Sequence, residues 1–436
     1  MSKFRVAIVG GGIAGLCLGA ALVKQENIKV DIFEASKEFG EVGAGLTLWG
    51  RVCEALYLMG LAEDCIRASI VVASSSGLSA SPGFKLRGNQ SPHTEYGLLP
   101  FKDAWSLHRT DLLQILLRRV PTKHAHLQKK FASYTEDANT GEVTLQFADG
   151  TSAVCDLLIG CDGVRSPVRA QIMMHEAASS GSKECLRYVE PRWTGTIANR
   201  ILINSKHLSA RHPGHPMLSG GQAYIGKTRH VVGYPISPTT LNIAVNTTNL
   251  AQVNARWPAG HKPRVFDREA FSREVVPQFA GWGPEVQDIF ECVDSAIEWP
   301  VMDLEPLPFY IRGNVAVIGD AAHAAVPYVG AGAAFAIEDA YVLSRILGSP
   351  AATRATLPLA LDVFQHIRRP YGNKLVINAR LALREFQLDG PSGNDLPRVA
   401  WSLNKVFDEA ARVGGSGPEA DGDRAVSLLA ERVRGH

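Results

Sequence analysis

No C-x-x-C pair occurs in the 436 residues, and the seven cysteines (Cys17, Cys53, Cys65, Cys155, Cys161, Cys185 and Cys292) are scattered. That spacing argues against a zinc site and against a disulfide framework. Several lie inside apolar runs, where a thiol acts as a small hydrophobe. A reducing, cytoplasmic compartment fits best. Net charge is also scarce: 45 Lys+Arg against 43 Asp+Glu leaves +2, too near balance to point to a nucleic-acid partner. No internal repeat, low-complexity tract, Ser/His/Asp constellation or metal-ligand spacing is present. Only Val6–Val23 is uncharged and long enough to imitate a signal peptide or membrane anchor, with a basic Met1–Arg5 before it. Glycines at fixed positions inside that run, and a strand and an acid directly after it, argue against a membrane span.

What fills that run is an ordered pattern. The apolar segment Val6–Val9 stops at Gly10, and Gly10, Gly12 and Gly15 follow as G-x-G-x-x-G. A helical apolar pattern comes next, then Val30–Phe33, closed by Glu34. Strand, glycine turn, helix, strand and a carboxylate about 20 residues on is the dinucleotide fingerprint. Gly10 permits the tight turn, Gly12 lets a pyrophosphate approach the backbone, and Gly15 lets the helix pack close to the sheet. The helix N-terminus offers unpaired N–H groups to the anion, and Glu34 can accept hydrogen bonds from a ribose diol.

Hydrophobic content of 46% supports a large core, and the length suggests two or three domains or one composite. Gly40, Gly43, Gly45 and Gly50 mark irregular backbone that could lie against a flat ligand. Ser74–Ser81 is polar and closes at Pro82. Arg109 begins a helical pattern whose apolar face is Leu112, Leu113, Leu116 and Leu117, and could reach a phosphate or a flavin edge. Ala153–Ile159 is predicted as one strand ending at Asp162-Gly163, which places polar groups at the carboxyl edge of a sheet, where ligands bind in open α/β folds. From 174 to 300 strand-like segments dominate, as an inserted β-rich domain. Phe266–Phe279 resumes helical spacing, and Ala296–Met302 reads as a returning strand. A strand at Asn314–Ile318 ends in Gly319-Asp320, followed by a small-residue helix from near Gly332. Residues 352–385 and 396–412 are helical, Gly414–Gly422 reads as a flexible linker, and Ala425–Val433 as a loose terminal helix.

Three separated segments together resemble the single-component flavin-dependent aromatic hydroxylases, whose prototype is p-hydroxybenzoate hydroxylase. They are Gly10 to Gly15 with Glu34, Asp162-Gly163, and Gly319-Asp320 followed by Pro327 and Gly330-Ala331-Gly332. Phe39–Gly45 and Gly319–Ala324 are most similar to the salicylate hydroxylase branch. The family commonly has Pro-Asn after the first glycine loop, where this chain has Leu48-Trp49-Gly50-Arg51. The resemblance implies an α/β fold: a Rossmann-like FAD-binding domain from residues 1–173 and 301–385, with inserted strands near 70–105. It also implies a β-rich substrate domain at 174–300, and C-terminal helices with a flexible tail at 386–436. Glu34 would hold the FAD adenosine ribose. Arg109, Asp162 and Gly163 would meet the phosphate and ribityl region, and Asp320, after Gly319, the ribityl chain. Gly45 would lie against the cofactor. Pro327, Gly330, Ala331 and Gly332 would line the ring, near the N-terminus of the following helix.

The implied reaction is hydroxylation of a phenolic acid such as salicylate, with decarboxylation left open, in the manner of a salicylate 1-monooxygenase. NAD(P)H and O2 are co-substrates, and a C4a-hydroperoxyflavin supplies electrophilic oxygen. Such a site needs a base or a positive charge to favour the phenolate, and a dry pocket. His230 is the first candidate base. Arg200 could pair with a carboxylate or phenolate, and Tyr234 is a third candidate. His323 reads as a packing residue of the cofactor motif. No second fingerprint exists for NAD(P)H, and the chain stops before the thioredoxin-like extension of the phenol hydroxylases. Rival readings are a resorcinol-type polyketide hydroxylase, an FAD oxidoreductase that uses no O2 in the manner of the geranylgeranyl reductases, and a non-catalytic FAD-holding regulator.

Overall fold

A computed structural model describes residues 3–40, 45–48, 50–69, 71–72, 83–90, 94–100, 104–257, 262–412 and 416–435. Gly43, Trp49 and the Ser74–Ser81 run lie outside the described residues. Two sheets organise the chain. The first has six strands, with Phe4–Val9 flanked in parallel by Ile28–Phe33 and Leu157–Gly160. Val6 faces Val30 on one side and Leu157 on the other. These strands are almost continuously apolar because helices cover the sheet, as a buried parallel sheet requires. The Ile13–Leu22 helix packs against the long helix Gly332–Gly348.

The segment expected as one strand over Ala153–Ile159 is two. Ser152–Cys155 joins an antiparallel meander with Val143–Phe147 and Phe131–Glu136, and Leu157–Gly160 enters the parallel sheet. Asp156 makes the break. Its carboxylate accepts the Arg5 backbone N–H at 2.8 Å and the Arg5 guanidinium at 2.8 and 3.0 Å, so one ladder ends where the other begins.

The second sheet has eight strands and is antiparallel except at one pairing. Its order is Val265–Asp267, Ser295–Asp303, Arg192–Asn204, Thr240–Thr248, Arg229–Ser237, Gly221–Gly226, Gly83–Gly88 and Glu95–Pro100. The strands expected near 70–105 thus supply its far edge. The strand expected over Ala296–Met302 stays in this sheet, paired with Arg192–Asn204. One face buries Ile201, Ile203, Tyr224, Val231, Ile243 and Val245 in a core shared with Phe271, Phe279 and Phe290. On the other face Ala198, Ala223 and Ile225 join the main core.

The C-terminal segment differs from expectation. Helix Gly417–Gly435 begins inside the stretch that reads as a linker, and it packs on Gly332–Gly348, Leu357–Phe386 and Arg51–Leu58. Asp421, Ala425 and Leu429 are fully buried. Gly422 makes the close approach possible, because a Cβ there would stand 3.2 Å from the Tyr341 ring.

Candidate active site

The glycine turn forms one end of a cleft. Gly10 has φ +108°, and a Cβ on it would meet the Cys161 carbonyl oxygen at 2.3 Å. A Cβ on Gly15 would stand 2.0 Å from the Gly10 carbonyl oxygen. Neither position accepts a side chain. Gly12 caps the Ile13–Leu22 helix with no side-chain acceptor on its first amides, which leaves those N–H groups for an anion. Glu34 is already oriented: Oε2 accepts from the Gly11 N–H at 2.6 Å and Oε1 from the Ser36 N–H at 2.8 Å.

The opposite wall comes from distant chain. Gly319, at φ +59°, turns the Val315–Val317 strand into a single helical turn, Asp320–His323. Asp320 is exposed among buried neighbours. Arg109, at the start of the Arg109–Leu117 helix, feels the Asp320 charge. Burial pulls its guanidinium pKa down and Asp320 pulls it back up. Gly332 begins the next helix, and a Cβ on it would lie 3.7 Å from Asp320 Oδ1. Pro327 and Gly330 are exposed beside it, and Ala331 is buried.

Asp162 sits at the sheet edge as expected, but its carboxylate turns into the protein. It accepts from Ser166 Oγ at 2.5 Å and from the Val168 N–H at 3.1 Å. Burial pushes its pKa up, against those hydrogen bonds. Gly163, at φ +77° with open space around its Cα, leaves backbone rather than a side chain at this edge.

The third wall is the inner face of the eight-stranded sheet. Directly paired residues share a face, and the register therefore collects one set. Ala198 pairs with Asn246, which pairs with His230; Arg200 pairs with Ala244, which pairs with Val232; Asn242 pairs with Tyr234. Arg200, Tyr234, Asn242, Ala244 and Val232 are partly exposed, while His230 and Asn246 are buried. This face therefore carries a shallow floor of small residues with Arg200 and Tyr234 at one end and His230 at the other.

At the Arg200 end the charge is positive. Among the described residues no carboxylate pairs with Arg200. Its guanidinium lies 4.8 Å from the centre of the Trp299 ring. Its pKa is lowered by burial and then by Arg109, and Tyr234 opposes this. The Tyr234 phenol is pushed up to about 12 by burial, against Arg200 and a hydrogen bond with Asn242. A Cβ on Gly45 would stand 2.9 Å from the Tyr234 hydroxyl, so Gly45 borders this end.

At the other end His230 is fully buried between aromatic rings, Tyr328 at 5.0 Å and Phe386 at 5.5 Å. Among the described residues neither ring nitrogen has a hydrogen-bond partner. Burial drives its pKa down to about 3, so the imidazole is neutral. Tyr328 belongs to the Pro327–Val329 turn expected to line the flavin ring, and its hydroxyl donates to Asn246 Oδ1 at 3.3 Å. Sequence reasoning passes over Tyr328 and Asn246. The only signal for Asn246 is the alternation Asn242, Ala244, Asn246, and nothing in sequence shows which face it takes. His323 proves to be more than packing: Nε2 lies 2.6 Å from Asp339 Oδ2.

A sequence family described as FAD binding domain matches residues 3–192 and 307–379. Salicylate hydroxylase of Pseudomonas putida is 34% identical over 372 residues, covering 84% of this chain and 82% of the relative. The 6-methylsalicylate 1-monooxygenase of Aspergillus terreus is 32% identical over 394 residues, 88% of this chain and 83% of the relative. A solved salicylate hydroxylase substrate complex superposes with a TM-score of 0.82 at 28% identity, covering 97% of this chain and 98% of that one. The chain belongs to the salicylate hydroxylase family of FAD-dependent monooxygenases. FAD suits the residues present: a side-chain-free turn before an uncapped helix N-terminus is open to a pyrophosphate, and the carboxylates of Glu34 and exposed Asp320 are available to accept from ligand hydroxyls. Among the described residues no helix is long and apolar enough to cross a membrane.

Proposed function

We propose that this monooxygenase hydroxylates a phenolic aromatic acid of the salicylate type, with NAD(P)H and O2 as co-substrates. The observation that carries the reading is the placement on one sheet face of Arg200, which has no carboxylate partner among the described residues, and of a neutral imidazole, His230, whose ring nitrogens have no hydrogen-bond partner among them, across the Ala198, Ala244 and Val232 floor. When bound and reduced, FAD would supply the activated oxygen, with NAD(P)H as the source of electrons. The chain's own residues do the rest. Arg200 takes the substrate carboxylate in a charge-assisted pair, and Tyr234, held as a neutral phenol, donates a hydrogen bond beside it. The aromatic ring lies on the small-residue floor, where Tyr328 and Phe386 exclude water.

His230 receives the phenolic hydroxyl. An ordinary phenol near pKa 10 is a far weaker acid than this imidazolium, so transfer between the isolated groups is strongly uphill. His230 therefore accepts a hydrogen bond in the resting complex. The proton moves onto its ring nitrogen only as oxygen transfer draws electrons from the ring and makes the phenol far more acidic.

The test is NAD(P)H oxidation and O2 uptake by the purified yellow holoprotein with matched compounds: salicylate, benzoate lacking the hydroxyl, and phenol lacking the carboxylate. Substrate-stimulated O2 uptake with a hydroxylated product from salicylate alone supports the reading. A preference for the carboxylate-free phenol overturns the role of Arg200 and favours a resorcinol-type substrate. NAD(P)H oxidation with no O2 uptake overturns the proposed reaction.

A further inference from the structure

Beneath the Gly319-Asp320 turn lies a buried chain of ionic contacts that the proposed reaction does not use. Asp339 is its inner end. Asp339 Oδ2 accepts from the Gly319 N–H at 3.1 Å and from His323 Nε2 at 2.6 Å, so one carboxylate pins both ends of the turn that presents Asp320. Asp339 Oδ1 accepts from Arg368 Nε at 2.8 Å, and Arg368 also donates to Glu338 Oε2 at 3.0 Å. Burial alone would raise the Asp339 pKa, but His323 and Arg368 hold it below the ordinary carboxylate range.

The chain continues outward. Arg51 donates to the same Glu338 oxygen at 3.2 Å and to Asp421 Oδ2 at 2.5 Å. Asp421 lies on the C-terminal helix and is fully buried. Tyr371 links the last members, with its ring below both arginines and its hydroxyl 3.4 Å from Asp421 Oδ1. Charged groups this deeply buried persist only when each is paired, and removing one partner strands the rest. The three acids Glu338, Asp339 and Asp421 face two arginines, partly buried Arg51 and fully buried Arg368, with His323 at the inner end and Arg424 at the rim.

The outer link joins two elements remote in sequence: Arg51 opens the Arg51–Leu58 helix, and its partner Asp421 sits on the C-terminal helix, outside the family-matched residues 3–192 and 307–379.

We propose that the C-terminal helix is a working part of the FAD site. Through Asp421, Arg51, Glu338, Arg368 and Asp339 it holds the Gly319 turn and the start of the Gly332–Gly348 helix in the geometry that keeps the cofactor. Arg51 and Asp421 are positioning residues that never touch FAD.

The test measures FAD affinity of the deflavinated full-length protein by fluorescence titration, well below the melting temperature of each apoprotein. Arg51→Gln and Asp421→Asn should each weaken FAD at least tenfold, and the double variant should be no weaker than Arg51→Gln, because both cut one link. Arg51→Lys, which keeps the charge, should recover part of the loss. Arg345→Gln is the control. It breaks a contact of the same helix, to Asp423 at 2.6 Å, outside the chain of ionic contacts, and should leave FAD affinity unchanged. FAD affinities within twofold of wild type for both Arg51→Gln and Asp421→Asn, whatever their melting temperatures, overturn the proposal. So does an equal loss in Arg345→Gln, since general docking of the helix would then suffice.

Discussion

At the scale of single residues, His230 carries the sharpest expectations. Its folded pKa of about 3 lies below the ordinary histidine value near 6.5. Between the two the unfolded chain binds one proton more than the folded one. The stability that depends on a neutral His230 is complete above about pH 6.5 and is lost as pH falls toward 3, at about 1.4 kcal/mol per pH unit. His230→Gln lacks this dependence. Denaturant unfolding at about pH 7 and about pH 5 should show the wild type losing about 2 kcal/mol more than the variant; parallel losses would contradict the buried neutral state. His230→Ala should slow hydroxylation by about 100-fold or more while FAD stays bound. A retained rate would leave His230 a packing residue. That His230 and Arg200 lie on strands is legible in the sequence, from the strand-like runs around them. The roles of Asn246 and Tyr328 are not, because they depend on strand register and on a turn that arrives from the other domain.

Among the elements, the Phe4–Phe33 strand–turn–helix–strand unit is the most legible, since every local signal in it agrees. Gly15→Ala tests how closely it is packed. The new Cβ would overlap the Gly10 carbonyl oxygen, so the helix must move off the sheet. A loss of about 1–3 kcal/mol is expected, with a weakened FAD titration; an unchanged affinity would mean the turn tolerates more space than its geometry allows. Two elements mislead for opposite reasons. Ala153–Ile159 has one apolar pattern yet splits at Asp156, whose partner Arg5 is remote in sequence. The first turns of Gly417–Gly435 look like a linker because Gly, Pro and acidic residues crowd them, yet Gly422 is what lets the helix dock and Asp421 is what it docks with. Local propensity cannot register a partner on another element.

At the scale of the whole molecule, the described residues form two cores: one holds the parallel sheet and takes Ala198, Ala223 and Ile225 from one face of the second sheet, and the other lies behind that sheet. The change in periodicity expected near residue 174 falls inside the Pro167–Ser180 helix, and the strands of the second sheet resume only at Arg192. The recruitment of Gly83–Gly88 and Glu95–Pro100 into the second sheet is not legible in the sequence, since parallel pairing with Gly221–Gly226 leaves no local trace. FAD should stabilise the two cores unequally. Saturating FAD, at about 100 times its Kd, adds about 2.7 kcal/mol to the state that binds it. Hydrogen exchange should slow most at Gly319–Ile337 and the Gly10–Gly15 turn, and least in the Ile201, Tyr224 and Val245 core, which lies behind the sheet. Equal protection of both cores would show that they unfold as one unit.

That recruited edge bears on how the protein is made. The Gly83–Gly88 and Glu95–Pro100 hairpin leaves the ribosome well before its inner neighbour, Gly221–Gly226, exists. Its outer strand waits longer still, for the Leu396–Arg412 helix, where Ala400 packs against Gly97 and Asn404 bonds the Leu98 carbonyl at 3.0 Å. Through most of synthesis an unpaired strand edge is open to neighbouring chains. Soluble yield should therefore respond to translation speed and chaperone supply more than to the stability of the finished fold.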